Sequence, residues 1–216
     1  MSKTVGVLGS GQVAQVLARG FAQHGYQVRI GSRDPAKLSA FAEGCGGAVQ
    51  ADTFAGAAAF GALVVLAVKG TAALKALKLA GAEALHGKVI IDTTNPIADE
   101  PPQNGVLRYF TGANESLMER LQAAFPAARL VKAWNSVGNS FMVNPKLPGG
   151  PPTMFICGND AAAKAEVSAI LGVFGWDSED VGLVESARPV EALCQLWCAP
   201  GFQRNQWAHA YKVLKP

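Results

Sequence analysis

Short apolar segments alternate with segments of helical periodicity along most of this chain. We interpret the apolar segments as strands: Thr4 to Leu8, Gln27 to Ile30, Ala62 to Val68, Lys88 to Asp92, Arg129 to Ala133 and Thr153 to Cys157. The helical pattern begins after Gly11 and recurs at four later places: Pro35 to Ala42, Thr71 to Ala80, Glu115 to Ala124 with Asn114 as N-cap, and about Ala161 to Phe174. This alternation is typical of a parallel sheet with helices on both faces. It predicts an α/β fold with a doubly wound, mainly parallel sheet.

The pattern changes near residue 183. From Leu183 to Lys215 the chain contains two short helical patterns separated by Pro200-Gly201, which are too short for an independent helical domain. We therefore predict one large domain over residues 1–182 and a helical C-terminal appendage over residues 183–216. Apolar side chains of this tail would form a large exposed patch in a monomer, so we expect a homodimer that buries them: Leu193, Leu196, Trp197, Phe202 and Trp207.

The first predicted strand runs directly into Gly9-x-Gly11-x-x-Ala14, and helical periodicity follows at once. In this context Gly9 permits a tight turn, Gly11 lets a pyrophosphate approach the backbone, and Ala14 lets the helix pack against the strand. The free amide groups at the helix start would face the negative charge of the ligand. Gly25 stands where a left-handed cap would end the helix. Together these signals predict a Rossmann-type dinucleotide site rather than a Gly-rich surface turn.

The residues at the end of the second strand indicate which dinucleotide binds. NAD-specific sites carry Asp or Glu there, about 20 residues after the glycines, to hold the ribose hydroxyls. This chain has Gly31-Ser32-Arg33 instead. A guanidinium can pair with the 2′-phosphate of NADP, and a hydroxyl can donate to it, whereas a carboxylate would repel it. We predict NADP(H), with Ser32 and Arg33 on its 2′-phosphate, and we interpret Asp34 as an N-cap before Pro35.

Composition argues against several classes of protein. The formal net charge is +3 with no basic run, so we expect no nucleic acid partner. No apolar stretch is long enough to span a bilayer, and the first strand begins too close to Met1 for a signal peptide. We therefore expect a cytoplasmic protein without membrane association. The four cysteines are interpreted as reduced packing residues without a metal site; a redox role for Cys194 and Cys198, one helical turn apart, is the alternative.

In an open parallel sheet, ligands bind beyond the carboxyl ends of the strands. That rule selects three segments as the surroundings of a nicotinamide: Ala67-Val68-Lys69, Thr93-Thr94-Asn95-Pro96 and Trp134-Asn135-Ser136. Reduction of a carbonyl or imine needs a proton donor there, and Lys69 is the best candidate, since Lys132 is expected to point away from the cleft. The histidines are interpreted as surface residues: His24, His86 and His209. We predict no catalytic acid, which fits hydride transfer between two rings, because that reaction needs mainly alignment.

Several segments resemble, in the same order, those of a known family: Gly9-Ser-Gly11, Gly31-Ser-Arg-Asp-Pro35, Asn95-Pro96, Val131-Lys-Ala-Trp-Asn135, Ile156-Cys-Gly-Asn159 and Ser186-Ala-Arg-Pro-Val-Glu191. Over almost its whole length the chain resembles the NADPH-dependent reductases of the deazaflavin coenzyme F420. It also resembles the cytosolic NADPH-flavin domain of the STEAP-type metalloreductases. The resemblance implies that hydride passes between NADPH and a flavin or deazaflavin ring stacked on the nicotinamide. No transmembrane haem domain follows in this sequence, so metal reduction of the STEAP type is not implied.

The resemblance also implies roles for individual positions. Residues of the first turn would hold the pyrophosphate, Ser32 and Arg33 the 2′-phosphate, and residues at later strand ends the ribose and nicotinamide. The full cofactor set is Gly9, Ser10, Gly11, Gln12, Val13, Ser32, Arg33, Val68, Lys69, Asn95 and Ala133. Three further residues would border the acceptor pocket: Trp134, Asn135 and Met142. Trp134 stands where the family more often has Phe, and the alternative is that its ring only packs.

The leading hypothesis is an NADPH-dependent oxidoreductase whose acceptor is FMN, FAD or coenzyme F420. One alternative is reduction of a small imine or carbonyl, as in pyrroline-5-carboxylate reductases, whose nucleotide domain is similar. Those enzymes complete their site with a larger helical domain that this tail does not supply. The other alternative is an NADP-binding protein without catalytic activity.

Overall fold

Six parallel strands form the central sheet of the computed structural model, which describes residues 3–216. In chain order they are β1 (Thr4–Leu8), β2 (Gln27–Ser32), β3 (Val49–Thr53), β4 (Leu63–Leu66), β5 (Val89–Asp92) and β6 (Arg129–Lys132). Their order across the sheet is β3-β2-β1-β4-β5-β6, so the winding direction reverses between β1 and β4. In such sheets a ligand cleft lies beyond the carboxyl ends of the strands at the reversal.

Helices cover both faces of the sheet. They are α1 (Gln12–Gln23), α2 (Ser39–Glu43), α3 (Phe54–Phe60), α4 (Gly70–Ala80), α5 (Ala82–Leu85), α6 (Leu117–Ala124), α7 (Ala161–Val173) and α8 (Ala187–Arg204). Shorter 3-10 turns occur at Pro35–Leu38, Asn139–Phe141 and Val184–Ser186. Helix α1 ends at His24, and Gly25 follows with φ of 81°, which confirms the predicted left-handed position.

The apolar strands separate two hydrophobic cores. On β4, Leu63 and Val65 belong to the core that holds α1 and α7, whereas Val64 and Leu66 belong to the core that holds α3, α4, α6 and α8. Successive strand side chains point to opposite faces, so a continuous apolar run is the pattern of a strand buried on both faces. The structure confirms the predicted α/β, Rossmann-type fold with a doubly wound, mainly parallel sheet.

Two further strands extend the fold beyond β6. Strands β7 (Thr153–Ile156) and β8 (Asp177–Asp180) pair in parallel. An antiparallel bridge between Lys132 and Cys157 joins β7 to β6. Strand β8 was not predicted because all four of its residues are polar; it is held by β7 and by ion pairs such as Lys164 with Asp180 at 2.8 Å. The edge strand β3 was also missed.

The start of α6 corrects one prediction. The N-cap is Ser116 rather than Asn114. The Ser116 hydroxyl accepts from the Glu119 amide at 3.1 Å, and the Glu119 carboxylate accepts from the Ser116 amide at 2.8 Å. This reciprocal pair is a capping box, and its Ser-x-x-Glu spacing is visible in the sequence. The two hydrogen bonds satisfy the backbone amides of Ser116 and Glu119 at the helix start. An N-cap at Asn114 would not satisfy them.

The C-terminal segment also differs from its prediction. Helix α8 continues through Pro200, so the two predicted helical patterns are one helix. Pro200 removes only the hydrogen bond to the carbonyl of Leu196, and Leu196 is an exposed residue of this helix. After Asn205 the chain runs back along β7, where the Thr153 amide donates to the Tyr211 carbonyl at 2.8 Å.

Helix α8 shares the hydrophobic core of the sheet rather than standing apart from it. Ala187 and Val190 belong to the same buried cluster as Leu121 of α6. Of the tail residues expected to form a dimer interface, Trp197 is buried, while Leu196, Phe202 and Trp207 are exposed. Dimerisation through this face stays a prediction, which light scattering can test. None of the helices in the described part of the chain is long and apolar enough to cross a membrane.

Candidate functional site

A cleft of about 990 Å³ lies beyond the carboxyl ends of β1, β2 and β4. Nine residues of the predicted cofactor set line it: Gly9, Ser10, Gly11, Gln12, Val13, Ser32, Arg33, Val68 and Lys69. They come from three distant segments, which the parallel register of the strands brings to one edge of the sheet. The structure therefore joins the predicted pyrophosphate turn and the predicted 2′-phosphate position in one cavity.

The turn between β1 and α1 uses its two glycines differently. Gly9 has φ of 146°, and a Cβ there would lie 2.1 Å from the Ala67 carbonyl oxygen. A Cβ at Gly11 would have no protein atom within 4 Å, and Gly11 lines the cleft. Gly9 is thus required by the fold, whereas Gly11 leaves open space where a ligand can meet the backbone.

The first turn of α1 faces the same cleft. The helix begins at Gln12, its N-cap Gly11 offers no side chain, and the turn contains no acidic residue. Its backbone amides are therefore available to an anion, whose charge the helix dipole favours. The Asn139 side-chain amide donates to the Gln12 side-chain oxygen at 3.3 Å, so the cleft-lining segment 137–139 is tied to α1.

Arg33 is an exposed cation at the end of β2. It lines the cleft and has no ion pair within residues 3–216. Lys37 lies 3.7 Å from Asp34. The Ser32 hydroxyl donates to the Asp34 carbonyl at 2.8 Å and accepts from the Asp34 amide at 2.9 Å. Ser32 therefore shapes the turn that presents Arg33, and its hydroxyl must leave the Asp34 carbonyl to donate to a phosphate. Asp34 is the N-cap of the 3-10 turn beginning at Pro35, as predicted, but its side chain makes no capping bond.

The packing around Gly31 bears on cofactor choice. A Cβ at Gly31 would lie 2.9 Å from the Thr53 carbonyl oxygen and 3.0 Å from the Ala57 Cβ. Helix α3 crosses too close for any side chain at this position. The lack of an acidic residue at Gly31 is therefore also a requirement of core packing.

The far end of the cleft adjoins a smaller cleft of about 410 Å³. Val68, Lys69 and Thr93 line both, and Asn95 lines the smaller one. The Lys69 side chain is 82% exposed and lies 3.4 Å from Asp99. The Thr93 hydroxyl donates to the Leu66 carbonyl at 3.0 Å. The polar groups at the junction of the two clefts are thus already paired.

The structure corrects the predicted wall of the acceptor pocket. Trp134 is fully buried, with its ring centroid 5.2 Å from that of Phe174 and 6.2 Å from that of Phe21. Ala133 and Met142 are buried in the same core, and none of the three lines either cleft. Trp134 has φ of 57°, in the left-handed region, so its side chain is turned inward after β6. This placement favours the alternative, that the ring packs in the core.

Asn135 is buried behind the site and holds the Asn95 side chain in place. Its side-chain amide donates to the Asn95 side-chain oxygen at 3.0 Å and to the Val190 carbonyl at 2.8 Å. The Asn95 amide in turn donates to the Asn135 carbonyl at 2.8 Å. Asn135 is buried and lines neither cleft. It therefore positions Asn95 and does not itself face an acceptor.

Comparison with known proteins identifies the family. The sequence family described as "NADP oxidoreductase coenzyme F420-dependent" matches residues 4–96. A crystal structure from Arthrobacter sp. FB24, assigned as an F420-dependent NADP-reductase, is similar over 100% of both chains with 34% identity and a TM-score of 0.91. The chain belongs to the coenzyme F420-dependent NADP oxidoreductase family.

Two other similarities are more limited. Metalloreductase STEAP3 of Rattus norvegicus is 30% identical over 190 residues, which are 88% of this chain and 36% of the metalloreductase. This F420-dependent oxidoreductase family member thus spans just over a third of that relative. An imine reductase from Myxococcus stipitatus in complex with NADP+ has 20% identity and a TM-score of 0.66, over 90% of this chain and 61% of the reductase. That similarity shows the fold alone.

Family membership makes the chain an NADP-dependent oxidoreductase. The residues present fit the cofactor, because one cleft is lined by an open glycine, by the amides of the first turn of α1 and by an arginine with no ion pair in the part of the chain that the structure describes. Gly11 and the α1 amides would hold the pyrophosphate, and Arg33 the 2′-phosphate. NADPH, when bound, supplies the hydride.

The two glycines give a matched pair of variants. We expect Gly11→Ala to fold with wild-type stability but to weaken NADPH binding roughly 10-fold, because its methyl group would occupy space reserved for the pyrophosphate. Gly9→Ala should instead lower the melting temperature, because its Cβ overlaps the Ala67 carbonyl. Fluorescence titration with NADPH and thermal unfolding measure the two effects. Unchanged NADPH affinity in Gly11→Ala would contradict the assigned position of the pyrophosphate.

The cleft is also lined by residues that the sequence did not predict. They are Phe54, Ala72, Lys75, Ala76, Leu79, Val137, Gly138 and Asn139. The four from α4 recur at helical spacing, which marks one face of that helix. That spacing is visible in the sequence, but only the packing of α4 beside β4 shows that this face borders the cleft.

A buried ionic cluster lies behind the site. Lys132 Nζ lies 2.7 Å from the Asp92 carboxylate and 2.8 Å from the Glu191 carboxylate, and it donates to the Thr94 carbonyl at 2.8 Å. Burial alone would lower the pKa of Lys132, but the two carboxylates outweigh it and raise that pKa above its ordinary value. Lys132 therefore stays charged and points away from the cleft, as predicted.

Glu191 links this cluster to α6. Its two carboxylate oxygens accept from the amides of Leu117 and Met118 at 2.9 and 3.0 Å. These amides belong to the first turn of α6, where a negative charge is favoured. The cluster thus ties β5, β6, α6 and α8 together beneath the segment that carries Asn95.

Proposed function

We propose that this oxidoreductase transfers hydride between NADP(H) and a flavin or deazaflavin ring, namely FMN, FAD or coenzyme F420. The supporting observation is that neither polar residue shared by the two clefts, Lys69 or Thr93, is held in place as a proton donor to an acceptor. Lys69 is solvated and paired with Asp99, and the Thr93 hydroxyl is bonded to a backbone carbonyl. A carbonyl or imine acceptor requires a proton at its heteroatom, whereas a flavin-type ring delocalises the charge.

The smaller cleft is the proposed position of the acceptor ring. It shares Val68, Lys69 and Thr93 with the nucleotide cleft, so a ring within it would adjoin the end of the bound dinucleotide. Asn95, fixed by Asn135, borders this space. The residues of the chain would thus align two rings, which is the main requirement for this transfer.

Anaerobic oxidation of NADPH, followed by its absorbance with FMN, FAD or coenzyme F420 in turn, tests the proposed function. We expect at least one acceptor to stimulate oxidation. If none of the three does, the proposal fails. Turnover of pyrroline-5-carboxylate that is lost in Lys69→Ala would instead favour the imine alternative.

Ala98 tests the position of the acceptor. It lines the smaller cleft and not the larger one. We expect Ala98→Trp to raise the KM for the acceptor severalfold while leaving the KM for NADPH unchanged, because the indole would occupy the smaller cleft. Ala98→Ser is the matched control and should resemble the wild type. A change confined to the KM for NADPH would place the acceptor elsewhere.

A further inference from the structure

Two cysteines of α8 are in direct contact. The Sγ atoms of Cys194 and Cys198 lie 4.0 Å apart on successive turns of the helix. Cys194 is buried and Cys198 is half-buried. Of the other two cysteines, Cys45 donates to the Phe41 carbonyl, and Cys157 is buried against the sulfur of Met118. The hydride-transfer site uses none of these thiols.

We propose that Cys194 and Cys198 are an oxidisable dithiol that closes to a disulfide within α8 when the protein meets a hydroperoxide. Contact between the two sulfurs and the partial exposure of one of them carry the proposal. A sensor thiol must be reachable by the oxidant and must stand beside a second thiol that resolves it. This pair meets both requirements.

Cys198 is the thiol that reacts first, because it is half-buried whereas Cys194 is buried. The hydrogen bond between the two thiols also lowers the pKa of Cys198, against the opposing effect of burial. The same bond, followed by burial, raises the pKa of Cys194. The thiolate is the nucleophile, so Cys198 attacks and Cys194 remains a thiol until the second step.

The reaction balances with the hydroperoxide as the oxidant. The Cys198 thiolate attacks the outer oxygen, the O–O bond breaks, and Cys198 becomes a sulfenic acid while the peroxide leaves as an alcohol, or as water from hydrogen peroxide. The Cys194 sulfur then attacks the Cys198 sulfur. The S–S bond forms, the sulfenic oxygen leaves as water with the Cys194 proton, and the two thiols have lost two electrons.

Closure requires the helix to contract locally. Residues four apart on a helix have Cα atoms about 6 Å apart, within the range of disulfides, but their Cβ atoms lie about 5–6 Å apart, farther than the separation of about 3.8 Å in a disulfide. The sulfurs must approach to about 2.0 Å from their present contact. Pro200 lacks the N–H that would bond to the Leu196 carbonyl, so the turn containing Cys198 has one restraint fewer. The helix can therefore adjust at this turn.

Formation of the disulfide would affect the nucleotide cleft through Trp197. This residue lies between the two cysteines, and its ring packs on Gly138, where an added Cβ would lie 2.8 Å from Trp197 Cη2. Gly138 lines the cleft. Contraction of the α8 turn moves the ring against this segment, so the oxidised protein should bind NADPH severalfold more weakly.

Treatment of the full chain with hydrogen peroxide, followed by alkylation and peptide mass spectrometry, tests the proposal. We expect residues 194 and 198 to resist alkylation, their shared peptide to lose two hydrogen atoms, and dithiothreitol to restore both the thiols and the NADPH affinity. Cys198→Ser and Cys198→Ala should abolish this response. Cys45→Ser, the control at another half-buried cysteine, should retain it.

Three results would overturn the proposal: both thiols of α8 staying alkylatable after peroxide, oxidation of Cys198 to a sulfinic acid in the wild type, or disulfides only between molecules. An oxidised protein with unchanged NADPH affinity would overturn the link to the cleft. Because NADPH binding is measured without an acceptor, these outcomes are independent of whether a flavin or deazaflavin accepts the hydride.

Discussion

We expect Arg33→Ala to raise the KM for NADPH roughly 100-fold and to leave the KM for NADH nearly unchanged. That factor is the expected loss when a forked pair of charge-assisted hydrogen bonds, each worth about 1.5 kcal/mol, is removed. Arg33 lines the cleft without an ion-pair partner in the described residues, so its charge is available to the 2′-phosphate. NADH lacks that phosphate, so the KM for NADH should not change. Initial rates with each cofactor and one saturating acceptor measure the effect.

Two control variants sharpen this result. Arg33→Lys retains the charge but not the fork and should recover only part of the affinity. Lys37→Ala removes a cation that lies 3.7 Å from Asp34 and should have a smaller effect. An equal loss of affinity for NADPH and NADH in Arg33→Ala would show that the guanidinium packs on the adenosine rather than on the phosphate.

We expect Lys132→Met to destabilise the protein by about 3–5 kcal/mol, because it leaves two buried carboxylates without their shared cation. Asp92, Lys132 and Glu191 are all essentially inaccessible to solvent, so water cannot compensate. Chemical unfolding of the variant and the wild type gives the difference. Glu115→Gln, which breaks an exposed ion pair with Arg120, is the control and should change stability little.

A double variant distinguishes the contribution of charge from that of packing to the stability of this buried cluster. Lys132→Met with Glu191→Gln removes one of the stranded charges and should be less destabilised than the sum of the two single variants. Strict additivity would mean that the cluster contributes through packing alone. A Lys132→Met protein as stable as the wild type would show that the buried cluster is not a restraint on this fold.

The nucleotide half of the site was predictable because its signals are local. The turn around Gly9, the cap at Gly25 and the basic residue after β2 are all read from contiguous residues whose conformations depend on near neighbours. Strand β8 could not be found in this way, because its polar residues carry no apolar pattern. Pro200 misled the prediction for a related reason, since a proline signals a helix end only when no tertiary contact holds the next turn. Here Gly201 packs closely against Trp207.

The acceptor half of the site depended on tertiary structure. Trp134 follows a strand end in the sequence, as a pocket residue would, yet its left-handed backbone turns the ring into the core against Phe174. Asn135 likewise became a support for Asn95 only once α8 supplied the Val190 carbonyl. The direction of a side chain after a strand depends on the backbone dihedral angles of that residue and on the groups that pack beside it. The residue type alone predicts neither.

The sequence by itself determined the fold class and the dinucleotide turn, because hydrophobic periodicity and glycine geometry act over a few residues. It also predicts the preference for NADP from Ser32 and Arg33. Tertiary structure decided which side chains border the cleft and left no room for a side chain at Gly31. It also paired Lys132 with carboxylates from two distant segments. It also placed Trp197 of α8 against the cleft segment at Gly138. These features depend on close packing between elements far apart in the chain, which local pattern cannot specify.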